Sequence, residues 1–304
     1  MIQYRDLNTY LKETFGKKVY KLSLDAGFSC PNRDGTIDTR GCSFCSAGGS
    51  GDFAASRQLS VTEQIEEAKE RVLGKLPKNG EVGYLAYFQA FTNTYASEDV
   101  LRNVYEEAMA VPEIVALSIA TRPDCLQPEV VTLLEDLNRR KPIFVELGLQ
   151  TMHEESAVRI RRGYPLAVFE DAVRRLSAAG IKVVVHLILG LPYETKEDML
   201  ASVRYVCAQP IHGIKLQLLH LLEGTDMGEE YKAMTEEEQK KTFVCLEMDA
   251  YLDLIVECLT IIPPSVVVHR LTGDGPKRIL IAPKWSGNKK AVLNALMKRI
   301  RTEE

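Results

Sequence analysis

The sequence of 304 residues predicts an α/β protein, built as a partial (β/α)6 barrel of the TIM type with a C-terminal strand and helix extension. Six near-continuous apolar segments recur along the chain, and amphipathic helical patterns separate them. Strands that are buried on both faces of a parallel sheet have this composition. Polar residues also gather where these segments end, which is where parallel barrels carry their active sites.

The elements follow one another in a regular order. The predicted strands cover residues 19–27, 82–90, 114–124, 143–151, 181–192 and 213–225. The predicted helices between them cover residues 61–76, 97–110, 128–140, 166–180 and 196–209. Thr62 and Ser97 are candidate N-caps, Pro128 suits a first helical turn, and Gly180 is typical of a helix end.

The pattern changes after the sixth predicted strand. Residues 226–238 are rich in acids, which predicts an exposed connection before one long helix over 235–260. A seventh strand and loop over 265–274 and a basic helix complete the sequence. We therefore expect two regions, a barrel over 1–225 that contains a cysteine-bearing loop at 28–53, and an extension over 226–304 packed on it.

Composition excludes several classes of protein. The 45% of hydrophobic residues suffices for a large core, which rules out disordered and fibrous chains. A net charge of −4 gives no overall reason to expect nucleic acid or an anionic membrane as a partner. Residues 269–304, however, hold nine Lys and Arg against three acids, a local charge of +6 that leaves −10 on residues 1–268.

Neither a signal peptide nor a membrane span is predicted. The N-terminal segment lacks the apolar stretch of a signal peptide. No apolar run reaches the roughly 18 residues that a transmembrane helix needs. We therefore expect a cytoplasmic protein that does not enter a membrane.

Seven cysteines occur, and three of them lie close together. Cys42 and Cys45 form a CxxC pair, and Cys30 precedes it by an eleven-residue insertion. Zinc is the commonest use of CxxC, but zinc usually takes four protein ligands, and no second CxxC or HxxxH occurs here. Three thiolates suit a [4Fe–4S] cluster that leaves one iron open. The spacing alone leaves the zinc site, a redox pair and the cluster as alternatives.

The other cysteines fall in apolar patterns, where a free thiol behaves as a small buried hydrophobe. Polar residues instead recur at the ends of successive predicted strands, and we expect one shared site there. These strand-end residues are Gln89, Thr92, Asn93, Thr121, Arg122, Asp124, Glu146, Gln150 and His186.

An ordered set of motifs resembles a known family. CPNRDGT with GCSFC, YFQAFTNTY, ATRPD, VELGLQT followed by RRG, HLILGLP, LLHLLEGTDM and HRLTGD occur in this order. Together, from Tyr4 to Trp285, they resemble the Elp3-like branch of the radical SAM superfamily, and more narrowly its bacterial YhcC/YtqA-type proteins. The cysteine spacing Cx11Cx2C departs from the familiar Cx3Cx2C and agrees with the long first gap of that branch.

The resemblance implies a [4Fe–4S] cluster held by Cys30, Cys42 and Cys45, with S-adenosylmethionine (SAM) bound to the open iron through its amino and carboxylate groups. One electron from a reductant such as flavodoxin or ferredoxin would cleave SAM to methionine and a 5′-deoxyadenosyl radical. That radical would abstract a hydrogen atom from the substrate.

Five further residues match SAM-contacting positions of the family. Phe44 matches the aromatic residue beside adenine, and Gln150 a ribose contact. Gln89 stands where relatives receive the methionine amino group, although their usual Gly-Gly-Glu is absent here. Arg162, or the arginine immediately before it, matches the partner of the methionine carboxylate. His186 matches a ribose or adenine contact, with a core histidine as the alternative.

The resemblance also points to a substrate, the wobble uridine of tRNA. It implies work on the C5 side chain, from 5-carboxymethylaminomethyl-uridine toward 5-aminomethyl-uridine. The basic C-terminal segment would then contact phosphates, with Trp285 as a stacking surface, or else form a solvated helix face. The cationic candidates are Lys284, Lys289, Lys290, Lys298, Arg299 and Arg301.

Two alternatives stand beside this reading. One is a radical SAM enzyme that acts on a small metabolite or a protein, in which the basic segment is incidental. The other is a zinc-stabilised RNA-binding module without redox chemistry.

Overall fold

One parallel sheet of eight strands organises the protein, in a computed structural model that describes residues 3–302 except Ser50, Lys78, Leu246 and Asp274. The strand order is β1-β9-β7-β6-β5-β4-β3-β2, and every neighbouring pair is parallel. Its strands are β1 (Arg5–Asp6), β2 (Lys18–Leu24), β3 (Val82–Phe88), β4 (Ile114–Thr121), β5 (Ile143–Gln150), β6 (Lys182–Leu189), β7 (Gly213–Leu218) and β9 (Val267–Arg270). Two short strands, β8 (Leu221–Leu222) and β10 (Leu280–Ala282), form a separate antiparallel pair.

Helices cover the outer face of the curved sheet. They are α1 (Leu7–Phe15), α2 (Val61–Val72), α3 (Glu98–Ala110), α4 (Pro128–Asn138), α5 (Glu154–Arg159), α6 (Leu166–Ala178), α7 (Lys196–Cys207), α8 (Asp226–Ala233), α9 (Glu236–Thr242), α10 (Met248–Ile261) and α11 (Lys289–Thr302). The strands alternate between an outward side chain that packs on these helices and an inward one. Leu22 and Leu24 of β2 point to the helical layer and belong to the main core with Phe88 and Tyr105.

The inward side chains close the barrel from below. Near the N-terminal ends of the strands, Val19, Leu85 and Phe144 form an apolar layer against Tyr10 of α1. The Tyr10 ring lies 6.3 Å from that of Phe144 and 4.6 Å from that of His212, centroid to centroid. Helix α1 therefore plugs this end of the barrel, and the opposite end is left for ligands.

The predicted fold class is confirmed, and each of the six predicted strands contains an observed strand. The seventh strand is observed as β9, which pairs in parallel with β7 and so joins the main sheet. Asp274, which ends the predicted strand and loop, lies outside the described residues, as does Ser50 of the cysteine loop. The division into two regions at residue 225 stays a prediction.

The prediction of one long helix over 235–260 was wrong. The segment contains two helices, α9 and α10, because the chain turns inward between them to bury Phe243 and Cys245. The backbone N–H of Tyr193 also binds the carbonyl of Thr242, which fixes the break. The sequence pattern did not show it, since residues 235–260 contain no Gly or Pro to mark a helix end.

The acid-rich segment 226–238 was also predicted wrongly as an open connection. It begins with helix α8, which Thr225 caps by accepting a hydrogen bond from the N–H of Gly228. Met227 is buried, and its N–H donates to the carbonyl of Ser43 at 2.9 Å. The predicted strand over 213–225 likewise splits into β7 and β8.

The predicted cap of helix α2, Thr62, is wrong as well. Ser60 is the N-cap, in a capping box with Glu63.

Among the described residues no helix is long and apolar enough to cross a bilayer.

Two serines at helix N-termini provide a matched test of this capping. Ser60→Ala removes the hydroxyl that accepts from the N–H of Glu63 and should lower the free energy of unfolding by about 1 kcal/mol. Ser97 is the exposed N-cap of α3 and makes no side-chain cap hydrogen bond, so Ser97→Ala should cost only a few tenths of that amount, ~0.3 kcal/mol. Urea denaturation of the two variants measures the difference, and equal losses would contradict this account of the helix start.

Candidate cofactor and substrate site

A cavity of about 610 Å³ opens at the C-terminal ends of the barrel strands. The cluster and SAM candidates that the sequence indicated converge on it from six separate chain segments. Its lining includes Cys30, Cys42, Cys45, Phe44, Gln89, Gln150, Arg162 and His186. The C-terminal ends of parallel strands lie at one edge of the sheet, so residues far apart in sequence meet there.

The cysteine loop follows β2 and is fixed by polar side chains of its own. Arg33 donates to the carbonyls of Cys45 at 2.9 Å and Ser46 at 2.7 Å. Asn32, 1% exposed, donates through Nδ2 to the carbonyl of Arg161 at 2.7 Å. These bonds tie the two arms of the loop to each other and to the segment after α5.

The thiols themselves lie in a dry environment. Burial raises the pKa of Cys42 to about 12 and also raises the pKa of Cys45. Nδ2 of Asn32 lies 3.4 Å from Sγ of Cys42 and offers it a weak donor. Without a cationic ligand these thiols stay protonated at pH 7, and metal coordination would remove their protons.

The donor set fits an iron–sulfur cluster. Three soft thiol ligands face one cavity, which is the ligand type and number that a cluster with one open iron requires. No group of three or more His, Cys, Asp and Glu side chains is gathered for a single metal ion anywhere in the described part of the chain. The three cysteines thus line one cavity together.

Gln150 is held in an unusual backbone conformation. Its φ is 70°, a left-handed value that residues other than glycine rarely adopt, and the strand pairing shifts register between Gly148 and Gln150. A Cβ at position 148 would lie 2.8 Å from Nε2 of Gln150, so Gly148 leaves room for that side chain. Oε1 of Gln150 is buried without a hydrogen-bond partner among the described residues, which fits an acceptor aimed at a ligand.

Arg162 is 2% exposed and engages three protein acceptors. Nε donates to the carbonyl of Tyr164 at 3.0 Å, Nη1 to that of Thr151 at 2.8 Å, and Nη2 to Glu154 at 3.0 Å. The residue thereby holds the loop after α5 in place while it lines the cavity. Its predicted contact with the SAM carboxylate stays a prediction, as do the contacts of Phe44 and Gln89.

Glu146 and His186, which the sequence placed at strand ends, lie within β5 and β6 and belong to a second layer of polar side chains deeper in the barrel. The sequence did not reveal this layer. We call it the floor network: Lys21, Tyr87, Ser118, Glu146, His186 and Lys215. Charged residues in the middle of otherwise apolar strands were the signal that could have identified it. Lys21 and Lys215 stand in such positions in VYKLSL and GIKLQL.

Glu146 is the centre of the floor network and is fully buried. Its Oε1 accepts from Lys21 Nζ at 3.1 Å and from Ser118 Oγ at 2.5 Å. Its Oε2 accepts from His186 Nε2 at 2.7 Å and from Lys215 Nζ. His186 was predicted as a SAM contact, and the structure gives it Glu146 as its partner while it still lines the cavity.

Charge and burial set the protonation states of this layer. Burial opposes ionisation of Glu146, but Lys21 and Lys215 outweigh it and hold the pKa of Glu146 well below its usual range. Burial and the charge of Lys215 lower the pKa of His186 to about 4, so its imidazole is neutral at pH 7. A carboxylate only accepts hydrogen bonds, so Nε2 of His186 carries the proton that binds Glu146.

The nucleic-acid candidates divide into two groups. Lys289, the first residue of α11, lines the same cavity as the cysteines. Trp285 is half-buried, with its ring 5.8 Å from that of Tyr251, and Lys284 donates to the carbonyl of Leu280. Arg299 forms ion pairs with Asp249 and Asp253 of α10.

The remaining candidates lie on the outer face of α11. Lys290 and Lys298 are exposed, while Val292, Leu296 and Ile300 on the other side of the helix are buried in the main core.

Comparison with known families matches nearly the whole chain. The model of the radical SAM superfamily matches residues 39–206, and that of the radical SAM C-terminal domain matches residues 211–302. The uncharacterized protein YtqA of Bacillus subtilis (strain 168) is 47% identical over 98% of this chain and 89% of its own length. Protein YhcC of Escherichia coli (strain K12) is 36% identical over 92% of this chain and 86% of its own length.

More distant matches extend the comparison. The structure of Elp3 from the archaeon Methanocaldococcus infernus aligns with a TM-score of 0.67 at 18% identity, over 93% of this chain and 63% of that one. The chain thus spans less than two thirds of that Elp3, and the likeness concerns the fold. The tRNA uridine(34) acetyltransferase of Dehalococcoides mccartyi is 28% identical over 60% of this chain and 39% of its own length.

Replacement of single cysteines tests the cluster ligands. Each of the three thiols can be removed singly, by Cys30→Ala, Cys42→Ala or Cys45→Ala. Each variant should fail to retain about four irons after anaerobic reconstitution and should no longer cleave SAM reductively. Cys207→Ala, which changes a cysteine on α7, should leave the iron content unchanged. Wild-type iron content in any of the first three variants would show that a different residue ligates the cluster.

Gln150 and Arg162 should behave differently when truncated. Gln150→Ala removes an acceptor that makes no bond within the described protein, so SAM should bind about tenfold more weakly, a loss of about 1.4 kcal/mol, at an unchanged melting temperature. Arg162→Ala removes three buried hydrogen bonds and should lower the melting temperature by several degrees, of order 5 °C, as well as SAM affinity. Calorimetric SAM titration and thermal melts measure both, and an unchanged SAM affinity in Gln150→Ala would refute the contact.

Proposed function

The chain belongs to the radical SAM superfamily, and from that premise we propose that it modifies the C5 side chain of wobble uridine in tRNA, converting 5-carboxymethylaminomethyl-uridine toward 5-aminomethyl-uridine. Membership of this superfamily makes the protein a radical SAM enzyme and implies a [4Fe–4S] cluster and SAM as its cofactors. The RNA-binding module with a structural zinc is thereby set aside.

The position of Lys289 is the observation that carries the tRNA proposal. This lysine begins the basic helix α11 and lines the cavity that the three cysteines also line. A substrate that reaches the cavity therefore passes a basic segment, which is the arrangement an RNA backbone requires. A small metabolite would not need a basic helix at the cavity entrance.

A relative supports the same substrate class. The D. mccartyi protein is named for action on uridine 34 of tRNA, and 60% of this chain aligns with it. The Elp3 structure shares the fold over 93% of this chain. We infer that this protein and the D. mccartyi protein act on the same base of tRNA and differ in the side chain that they produce on it.

The protein's own residues have definite tasks in this scheme. When bound, the cluster and SAM would supply a carbon-centred radical that removes a hydrogen atom from the substrate. Oxidation by SAM with addition of water would then release the carboxymethyl group as glyoxylate and leave the amine. Cys30, Cys42 and Cys45 hold the cluster, Phe44 covers the nucleoside, and Gln150 accepts a hydrogen bond from it.

An electron must enter from outside the chain. We propose a small reductant such as flavodoxin or ferredoxin for this step, since the protein's own side chains include no other redox group than thiols.

The decisive experiment compares tRNA nucleosides from cells with and without the gene. Deletion should raise 5-carboxymethylaminomethyl-uridine and remove its 5-aminomethyl-uridine product, and wild-type protein should restore the product. A variant that combines Lys289→Glu, Lys290→Glu and Lys298→Glu should fail to complement, because it binds tRNA more weakly. The log–log salt dependence of its tRNA binding should also become shallower, by up to about one unit per lost phosphate contact.

A matched control reverses three exposed lysines elsewhere, Lys12, Lys240 and Lys241, with the same change in net charge. This control should complement fully and bind tRNA with the wild-type salt dependence. Identical nucleosides in the deletion strain would refute the proposed substrate. A fully active Lys289, Lys290 and Lys298 variant would show that α11 does not contact tRNA.

A further inference from the structure

The cofactor ligands and the tRNA contacts leave the floor network without a task. Tyr87, Glu146 and His186 line the cavity, so the network is part of its surface and not a sealed interior. Glu146 precedes Gln150 by four residues on β5, which places it about 13 Å deeper along the strand. The floor therefore lies well below the strand ends, where the cysteines and Gln150 would hold SAM.

The network carries more positive than negative charge. Within it, two amines, those of Lys21 and Lys215, share one carboxylate, and His186 is neutral. Lys215 is 1% exposed, and its ammonium relies on the ion pair with Glu146 because burial opposes its charge. A buried cation without a full counterion is costly, so this arrangement reduces stability unless a ligand completes it.

The surplus positive charge selects an anionic ligand. Arg270 also lines the cavity, lies close enough to act on Lys21 and Lys215, and adds to this charge. A carboxylate is one such anionic group. Tyr87 also faces the cavity, and its hydroxyl accepts from Lys215 Nζ at 3.2 Å. Burial raises the pKa of Tyr87 well above 10, so the hydroxyl keeps its proton and remains a donor.

We propose that the floor network is a carboxylate-binding subsite that receives the end of the substrate's side chain. Tyr87 donates to the carboxylate, and Lys215 supplies the charge behind it as a positioning residue. The inference rests on the proposed function for its substrate, since 5-carboxymethylaminomethyl-uridine ends in a carboxylate. The 5-aminomethyl product ends in an ammonium group, which the surplus positive charge repels, so the same subsite separates substrate from product.

Binding of three anticodon stem-loops to the reconstituted enzyme with SAM tests this subsite. They carry 5-carboxymethylaminomethyl-uridine, 5-aminomethyl-uridine or uridine at the wobble position. Wild-type protein should prefer the first over the second by at least about tenfold, or about 1.4 kcal/mol. Lys215→Met should bring the ratio close to one, and Tyr87→Phe should reduce it by about threefold or more, with SAM affinity unchanged in both.

Two controls match these substitutions outside the floor network. Tyr20→Phe removes a hydroxyl that donates to the carbonyl of Lys75, and Lys141→Met removes an amine that donates to the carbonyls of Met109 and Val111. Both should keep the wild-type preference. If Lys215→Met does not fold, Tyr87→Phe alone decides, because it keeps the ring and the packing.

The outcomes separate this inference from the proposed function. The subsite is supported if wild-type protein prefers the stem-loop with 5-carboxymethylaminomethyl-uridine and Lys215→Met or Tyr87→Phe abolishes this preference. A preference that both variants retain, or equal binding of all three stem-loops, overturns the subsite and leaves tRNA as the substrate. Failure to bind any stem-loop overturns the proposed tRNA substrate.

In that last case small probes decide the question. N-methylglycine has the same carboxylate end group, and methylamine lacks it. N-methylglycine should shift the imidazole resonances of His186, assigned with His186→Gln, in wild-type protein and not in Lys215→Met, while methylamine should shift neither. Absence of a saturable shift with N-methylglycine would overturn the subsite, and its presence would support a free carboxylate as the substrate.

Discussion

The carboxylate of Glu146 binds side chains from four other strands of the sheet. Lys21 comes from β2, Ser118 from β4, His186 from β6 and Lys215 from β7. A fully buried carboxylate is stable only when its charge and its lone pairs are satisfied, so these strands must curve until their donors reach one point. The barrel's interior geometry and the depth of its cavity both follow from this requirement. Above the carboxylate the inward positions are left for ligands, and below it an apolar layer and helix α1 close the barrel.

The cysteine loop depends on a second set of buried polar contacts. Arg33 and Asn32 satisfy backbone carbonyls of the loop and of the segment after α5, so the thiols of Cys42 and Cys45 are placed before any cofactor binds. Their burial keeps the thiols protonated, and cluster binding must therefore release protons. Rigid placement and a dry environment favour a cofactor that reacts through a radical, because water and loose geometry would both divert it.

The C-terminal third of the chain completes the site from outside the six βα units. Strand β9 extends the sheet beside β7, and the antiparallel pair of β8 and β10 ties the following segment to the barrel. Helix α11 packs its apolar side on the core and brings Lys289 to the cavity. Through these contacts the residues after the sixth βα unit contribute to the sheet, to the core and to the cavity.

The sequence by itself determined the strand and helix order, the three cysteines and the strand-end polar residues, because periodicity and spacing are local properties. It did not determine the break between α9 and α10 or the start of α8, since the burial of Phe243 and Met227 depends on contacts with distant segments of the chain. It also gave no sign that Lys21, Glu146 and Lys215 meet, although each is a charge within an apolar strand. Only the tertiary structure decided that, because the register and curvature of a sheet set which inward side chains share a layer, and neither is encoded within one strand.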